Sequence, residues 1–295
     1  MVIGFIGIGA MGAPMAKNLI SSGHKLIVSN RSQKLFEEFA ALGAKTTTDI
    51  KQAAEGDAVF LCLTDSKAVE SICYGDDGLL AAMKKDQILV DLGTSRYDST
   101  IRLSEACKKK KIKFVDAPIT GLPQRAQDAS LTIMCGCEAF VFEEIEPVLK
   151  CMGSKVLRMG DAGSGQLTKL INQMLYNTNM AALAEIIPMA VKLGLDAGLV
   201  EQVVNSGTGR SHASEFFLPR ILSDDFEGGL DMATAYKDMI SAVNLAADNK
   251  IPLPVFSAAN ATYQRALQEG FGKYGKGAMI RVFENILNIS FRNSK

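Results

Sequence analysis

At 295 residues the chain exceeds the usual single-domain size, so two domains, or one domain with a substantial addition, are expected. Its 47% hydrophobic and 22% charged residues are those of a globular protein and exclude intrinsic disorder. Lys+Arg and Asp+Glu both number 32, and the resulting zero formal charge excludes a global field that would draw nucleic acid or an anionic membrane.

The apolar start from Met1 to Met15 lacks a basic n-region and is interrupted by Gly4, Gly7, Gly9 and Gly12, so it reads as strand, loop and helix start rather than as a secretion signal. Residues 2–6, 25–29, 58–63, 87–91, 113–116 and 131–135 read as buried strands. Between them lie helical patterns such as 12–22, 33–41, 66–71 and 99–110. This alternation predicts an α/β fold, a Rossmann-type doubly wound parallel sheet. From about Gly165 the alternation stops. Residues 166–193 carry apolar residues at helical spacing, broken only by Pro188, and 200–206, 216–222, 232–247 and 255–268 also read helical, with no further strand. The expected organisation is an α/β domain over residues 1–163 and an all-α domain over 164–295, entered through a long linking helix over 164–194. No run of about 18 apolar residues offers a membrane span. Cys62, Cys73, Cys107, Cys135, Cys137 and Cys151 lack CxxC spacing, and with two histidines no zinc pattern assembles. A cytoplasmic protein with reduced thiols and no membrane or nucleic-acid partner is expected.

Gly7-Ile8-Gly9-Ala10-Met11-Gly12 follows the first strand and opens a helix. In that context Gly7 permits the tight turn, Gly9 lets backbone approach a pyrophosphate, and Gly12 allows close helix–strand packing, with helix N–H groups facing the phosphates. The alternative is a glycine turn with no ligand. The second strand ends in Ser29-Asn30-Arg31-Ser32. An acid there would accept a bond from the ribose 2′-OH; none is present, Arg31 can meet a 2′-phosphate with a bidentate fork, and Asn30 and Ser32 add donors. NADP(H) is therefore expected over NAD(H), against the alternative that Arg31 simply points into solvent.

Lys169 stands one turn inside the long apolar helix, after Gly163-Ser164-Gly165, with Asn172 at i+3 and Gln173 at i+4 on the same face. Residue type alone leaves two roles open: a general acid in a cleft, or a surface lysine whose stem covers apolar neighbours.

Four ordered segments decide the weighting: the glycine segment from Gly4 to Gly12, Asp116-Ala117-Pro118-Ile119-Thr120-Gly121, the segment around Lys169, and Lys237-Asp238-Met239. Together they make the whole chain resemble the β-hydroxyacid dehydrogenase family, which includes 3-hydroxyisobutyrate dehydrogenase, tartronate semialdehyde reductase and succinic semialdehyde reductases. The resemblance implies hydride transfer between the cofactor and a small carboxylate-bearing substrate, interconverting a 3-hydroxy acid and its semialdehyde. It implies that Lys169 gives or takes the proton, that Asn172 positions the substrate, and that Thr120, Gly121 and the N–H of Leu122 grip its carboxylate. Thr94 would lie beside the nicotinamide ribose, Leu63 and Thr64 along the adenosine side, and Lys237 would reach the site from the helical domain. That domain would serve substrate binding and assembly into a homodimer or homotetramer. On residue type alone, Thr94 and Thr120 serve equally well as turn-closing threonines, and Lys237 as a surface partner of Asp238.

The chain departs from the family pattern at Gly121-Leu122-Pro123-Gln124-Arg125-Ala126, where Leu122 replaces a glycine and Arg125 adds a cation. Arg125 either binds an acidic group of a larger substrate or pairs with Asp128. In Ser206-Gly207-Thr208-Gly209-Arg210-Ser211-His212, Arg210 and His212 are either specificity residues or parts of a solvated loop. The segment from Gly270 to Gly275 lacks an acid common in the family. Two rivals stand beside carbonyl reduction: an imine reductase-type enzyme, whose members resembling this chain place an acid or tyrosine at the position of Lys169, and a non-catalytic NADP-binding module.

Overall fold

The run Val2–Ile6 forms β1 and is buried from Ile3 onward, as befits a strand covered on both faces at the centre of a sheet. In the computed structural model, which describes residues 1–292, five further runs join it: β2 (Lys25–Ser29), β3 (Lys45–Thr47), β4 (Ala58–Leu61), β5 (Ile88–Asp91) and β6 (Lys113–Asp116). They lie in the order β3-β2-β1-β4-β5-β6, all parallel. The chain winds outward from β1 in both directions, and this reversal of strand order opens a crevice beyond the carboxyl ends of β1 and β4. Intervening helices are α1 (Gly12–Ser21), α2 (Phe36–Ala41), α3 (Ile50–Ala53), α4 (Ser66–Cys73), α5 (Leu79–Ala82) and α6 (Tyr97–Lys109). Successive strand residues feed two cores, one holding Phe5, Phe60 and Val90 and the other Ile6, Leu61 and Leu89.

Beyond β6 the pattern turns back on itself. The chain continues through Pro118 into β7 (Ile119–Thr120), passes α7 (Pro123–Gln127), and returns as β8 (Thr132–Gly136), which pairs antiparallel with both β6 and β7 in a single register. The run at 131–135, read from sequence with the other strands of a parallel sheet, is therefore antiparallel to β6. The five-residue α7 is too short to carry the chain across the sheet for a parallel return. After α8 (Ala139–Leu149), β9 (Lys155–Gly160) adds parallel to β8. The strands β3, β7 and β9 lay outside the sequence reading. The first two span only three and two residues, and β9 leaves Leu157 and Met159 at the surface, so none shows a buried run.

The helix α9 (Ser164–Lys192) has 29 residues and a length of about 43 Å. Pro188 lies within it without ending it. The chain divides into two compact units, Met1–Lys169 and Leu170–Lys295, and the division falls inside α9. Ile171, Leu175, Ile186 and Met189 are each more than half exposed along this helix, while Met180, Ala184 and Ile187 are buried, so apolar residues occupy more than one face. The described part of the second unit is helical: α10 (Ala197–Ser206), α11 (His212–Leu222), α12 (Met232–Asp248), α13 (Pro254–Gln268), a 3-10 turn at Lys276–Met279 and α14 (Ile280–Leu287). They pack around Phe217, Met239, Tyr263 and Ile280.

Candidate active site

In the first unit, the residues expected at the dinucleotide follow the carboxyl ends of strands. The turn after β1 passes through Gly7 at φ +98°, a region L side chains avoid, and a Cβ there would stand 2.3 Å from the Cys62 carbonyl oxygen. A Cβ on Gly12 would stand 1.9 Å from the Gly7 oxygen, so α1 begins this close to β1 only with glycine at both positions. Gly9 differs: it is exposed and nothing lies within 4 Å of where its Cβ would be. Ile8 is buried, Ala10 exposed and Met11 between the two. The first turn of α1 carries no acidic side chain, so its free N–H groups and helix dipole favour an anion. The open backbone at Gly9 and this positive helix end fit a dinucleotide pyrophosphate.

After β2, the Ile8 N–H donates to Asn30 Oδ1 at 3.3 Å and Asn30 Nδ2 donates to the Ser32 carbonyl at 2.8 Å. Asn30 thus ties the glycine loop to the next turn with its own side chain. Arg31 and Ser32 are exposed, and Arg31 enters no ion pair among the described residues. After β4, Leu63 is half-buried with Cδ2 3.2 Å from the position a Gly7 Cβ would take, and Thr64 is exposed. A Cβ on Gly93 would stand 2.8 Å from the Leu63 carbonyl, so the loops after β4 and β5 are in contact.

A buried polar network joins these loops to α9. Asp91 and Asp116 close β5 and β6 and face each other in register. Asp91 accepts from the Gly93 N–H at 2.9 Å and the Ser95 hydroxyl at 2.7 Å. Asp116 accepts from the N–H groups of Gly163 at 2.6 Å and Gln166 at 2.9 Å, so its carboxylate caps the start of α9 from a neighbouring strand. A Cβ on Gly165 would stand 2.3 Å from the Met134 carbonyl, and only glycine lets the helix come this near the sheet. The Gln166 side chain then grips the loop after β5: Oε1 accepts from the Ser95 N–H at 3.0 Å and Nε2 donates to the Gly93 carbonyl at 2.9 Å. Between those two residues stands Thr94, half-buried. One turn beyond Gln166 is Lys169, 9% exposed, which is not the burial of a snorkelling surface lysine. The sequence reading assigned no role to Asp91, Asp116 or Gln166. A carboxylate ending each of two apolar strands was the available signal.

Burial pushes the Asp91 carboxyl up to about 6 against the pull of its Ser95 and Gly93 donors. Burial likewise pushes Asp116 up to about 7, opposed by the two N–H groups of α9 and reinforced by Asp91 beside it.

At the end of the sheet, Thr120 is half-buried in β7, and Gly121 follows at φ +140° with Leu131 and Arg125 packed where a side chain would go. Neither Thr94 nor Thr120 offers its hydroxyl to a hydrogen bond among the described residues. Leu122 is 36% exposed, and its carbonyl accepts from the Arg125 and Ala126 N–H groups at the start of α7. Arg125 does not pair with Asp128: it donates to the Ser130 carbonyl at 2.5 Å, while Asp128 accepts from Gln124. In the second unit, Asn172 is exposed on α9 and Lys237 is exposed on α12. Arg210 pairs with Glu215 at 3.5 Å, and the His212 ring packs 5.5 Å from Tyr176 and 6.0 Å from Phe216.

A family model described as the NAD binding domain of 6-phosphogluconate dehydrogenase matches residues 2–160. A second, described as NAD-binding of NADP-dependent 3-hydroxyisobutyrate dehydrogenase, matches residues 163–283. The chain is similar to 2-(hydroxymethyl)glutarate dehydrogenase of Eubacterium barkeri, with 34% identity covering 98% of this chain and 96% of that protein. It is similar to mitochondrial 3-hydroxyisobutyrate dehydrogenase of Drosophila melanogaster, with 34% identity over 92% of this chain and 85% of that one. Among solved structures, 3-hydroxyisobutyrate dehydrogenase of Mycobacterium tuberculosis with L-serine superposes at a TM-score of 0.86 with 28% identity, covering 96% of this chain and 98% of the other.

The raised Asp91 pKa has a consequence for stability. Between about pH 4, where a carboxyl in the unfolded chain ionises, and pH 6, the folded protein holds a proton that the unfolded chain has lost, so this contribution to stability falls as pH rises through that window. Urea unfolding of the wild type and Asp91→Asn at pH 4.5 and 7 should show the wild type losing roughly 2 kcal/mol more than the variant. Parallel pH profiles would contradict it.

Proposed function

The chain belongs to the β-hydroxyacid dehydrogenase family, and on that premise we propose that it interconverts a small 3-hydroxy acid and its semialdehyde with NADP(H), using Lys169 as the general acid and base. It is an NAD(P)-dependent oxidoreductase acting on CH–OH donors. The observation that carries the finer reading is the burial of Lys169 one turn beyond Gln166, whose amide holds the loop around Thr94.

When bound, the nicotinamide supplies or receives the hydride. The Lys169 ammonium protonates the alkoxide oxygen that develops as the carbonyl is reduced, and the neutral amine takes the hydroxyl proton in the reverse direction. Its position on a long helix, pinned at the start by Asp116, provides the fixed approach that proton transfer requires. Thr120, Gly121 and the Leu122 N–H hold the substrate carboxylate, and Asn172, on the Lys169 face of α9, orients it. Replacement of a family glycine by Leu122 leaves that N–H in place and adds an exposed isobutyl group to the loop. On the cofactor side, Arg31 supports NADP(H): an exposed guanidinium follows β2 where no acid is present to repel a 2′-phosphate. Ser32 adds a donor, Leu63 and Thr64 line the adenosine side, and Lys237 serves the cofactor from α12.

The two named relatives frame the substrate. 2-(Hydroxymethyl)glutarate and 3-hydroxyisobutyrate share the unit HOCH2–CH(R)–COO−; R is a methyl group in one and CH2CH2COO− in the other. The unit common to both is the reacting half of the proposed substrate. Lysine chemistry at residue 169 favours this carbonyl reaction over imine reduction.

Lys169→Ala should lower kcat by a factor of about 100 to 10,000 with little change in the Kd for NADPH. Turnover near the wild-type rate would remove Lys169 from the reaction. Arg31→Ala should reduce the NADPH-to-NADH ratio of kcat/KM about tenfold or more, the cost of one charge-assisted phosphate contact. An unchanged ratio would place the 2′-phosphate elsewhere.

A further inference from the structure

The segment after β7 is closed on itself. The Leu122 carbonyl accepts from the N–H groups of Arg125 at 2.9 Å and Ala126 at 3.2 Å and so starts α7. Past the end of α7, the Ser130 N–H donates to the Arg125 carbonyl at 2.9 Å, and the Arg125 guanidinium donates back to the Ser130 carbonyl at 2.5 Å. The Arg125 stem also fills the space beside Gly121, where a Cβ would stand 3.1 Å from Arg125 Cβ and 2.8 Å from Leu131 Cδ2. Gly121 and Leu122 therefore go where α7 goes.

The helix α1 holds α7 in place. Ala126 is fully buried, in the core that also contains Met15 and Leu19 of α1. A five-residue helix leaves most of its carbonyls without a partner of its own, and a buried one must find a donor elsewhere. The carbonyls of Gln124 and Arg125 are met within the loop, by the N–H groups of Asp128 and Ser130. That of Ala126 is met by the Asn18 side chain, whose Nδ2 donates to it at 2.7 Å across 108 residues of sequence. Asn18 lies six residues beyond Gly12, about 9 Å from the end of α1 that follows the glycine loop. One helix thus meets the glycine loop at its start and the Gly121–Leu122 turn through its side.

We infer that Asn18 is a positioning residue for the substrate: by tying α7 to α1 it sets the distance between the dinucleotide loop and the Gly121–Leu122 turn, and with it the place of the hydroxy-acid carboxylate relative to the cofactor. This rests on the reading above, in which that turn grips the carboxylate. Asn18 acts through the Ala126 carbonyl and touches neither ligand. Without its N–H, a buried acceptor is left unpaired and α7 is free to shift, and a displacement of about 1 Å at a binding contact can cost about a hundredfold. The glycine loop keeps its own bonds, from the Gly7 N–H to the Ser29 carbonyl and from the Ala13 N–H to the Gly9 carbonyl, both at 3.0 Å, so cofactor binding does not depend on Asn18.

The test compares the wild type with Asn18→Ala and with Asn18→Asp, which keeps nearly the same shape and, ionised, has no N–H to offer. Oxidation of 3-hydroxyisobutyrate and of 2-(hydroxymethyl)glutarate is followed with NADP+, the Kd for NADPH by fluorescence titration, and the Kd of the hydroxy acid for the enzyme–NADPH complex by calorimetry. In both variants KM and the calorimetric Kd for the hydroxy acid should rise about tenfold or more, with kcat changed much less and the NADPH Kd within about twofold of the wild type. An NADPH Kd that rises in step with KM would make Asn18 a support of α1 as a whole, and an unmoved KM would leave α7 placed without it. Either result overturns the inference and leaves the hydroxy-acid reading standing. Oxidation of neither acid by the wild type overturns both.

Discussion

The carboxylate of Asp116 leaves the end of β6 and accepts the N–H groups of Gly163 and Gln166, so that α9 starts against the sheet rather than in solvent. A helix start of this kind would otherwise bury unpaired donors, each costing about 1–3 kcal/mol. The close approach that makes the cap possible depends on Gly165, whose missing side chain lets the Met134 carbonyl come within van der Waals reach. Once the first turn is pinned, the direction of α9 and the rotation of its face follow from the geometry of a helix. Gln166 reaches the loop after β5, and Lys169 takes its place one turn on.

This arrangement makes one helix answer to two strands. Asp91 shapes the Gly93–Ser95 turn from within, and Gln166 holds it from α9, so the segment bearing Thr94 has few ways to move without also disturbing the helix that bears Lys169. Burial raises the pKa of both carboxyls, and Asp91 beside it raises Asp116 further, which trades stability near neutral pH for a fixed geometry. Such a trade is expected where proton transfer depends on a placement accurate to a fraction of an ångström.

Much of this was legible in the sequence because it rests on local constraints. Strands β1, β2, β4, β5 and β6 are short apolar runs, and the glycine segment follows a strand and precedes a helix, so both the sheet and the dinucleotide loop could be read directly. The antiparallel return through β8 could not, because a buried run looks alike in either direction and only the brevity of α7 decides. The cap and the clamp were hidden for a different reason. Asp116 belongs to a motif and Gln166 opens the long helical run, but hydrogen bonds spanning 47 to 73 residues leave no local pattern. Arg125 illustrates the opposite case: charge suggested a pair with Asp128, and the structure gives Arg125 a carbonyl in its own loop instead. The burial of Lys276 was invisible as well, since nothing in Tyr274-Gly275-Lys276-Gly277 says that this lysine is enclosed.

The central claim is that the first turn of α9 places Lys169 for proton transfer through the Gln166 clamp, and a double-mutant cycle on kcat tests it most directly. Gln166→Ala should lower kcat about tenfold or more in the wild-type background, and much less in Lys169→Ala, where there is no proton donor left to misplace. An equal loss in both backgrounds would show that Gln166 acts independently of Lys169 and would contradict the account.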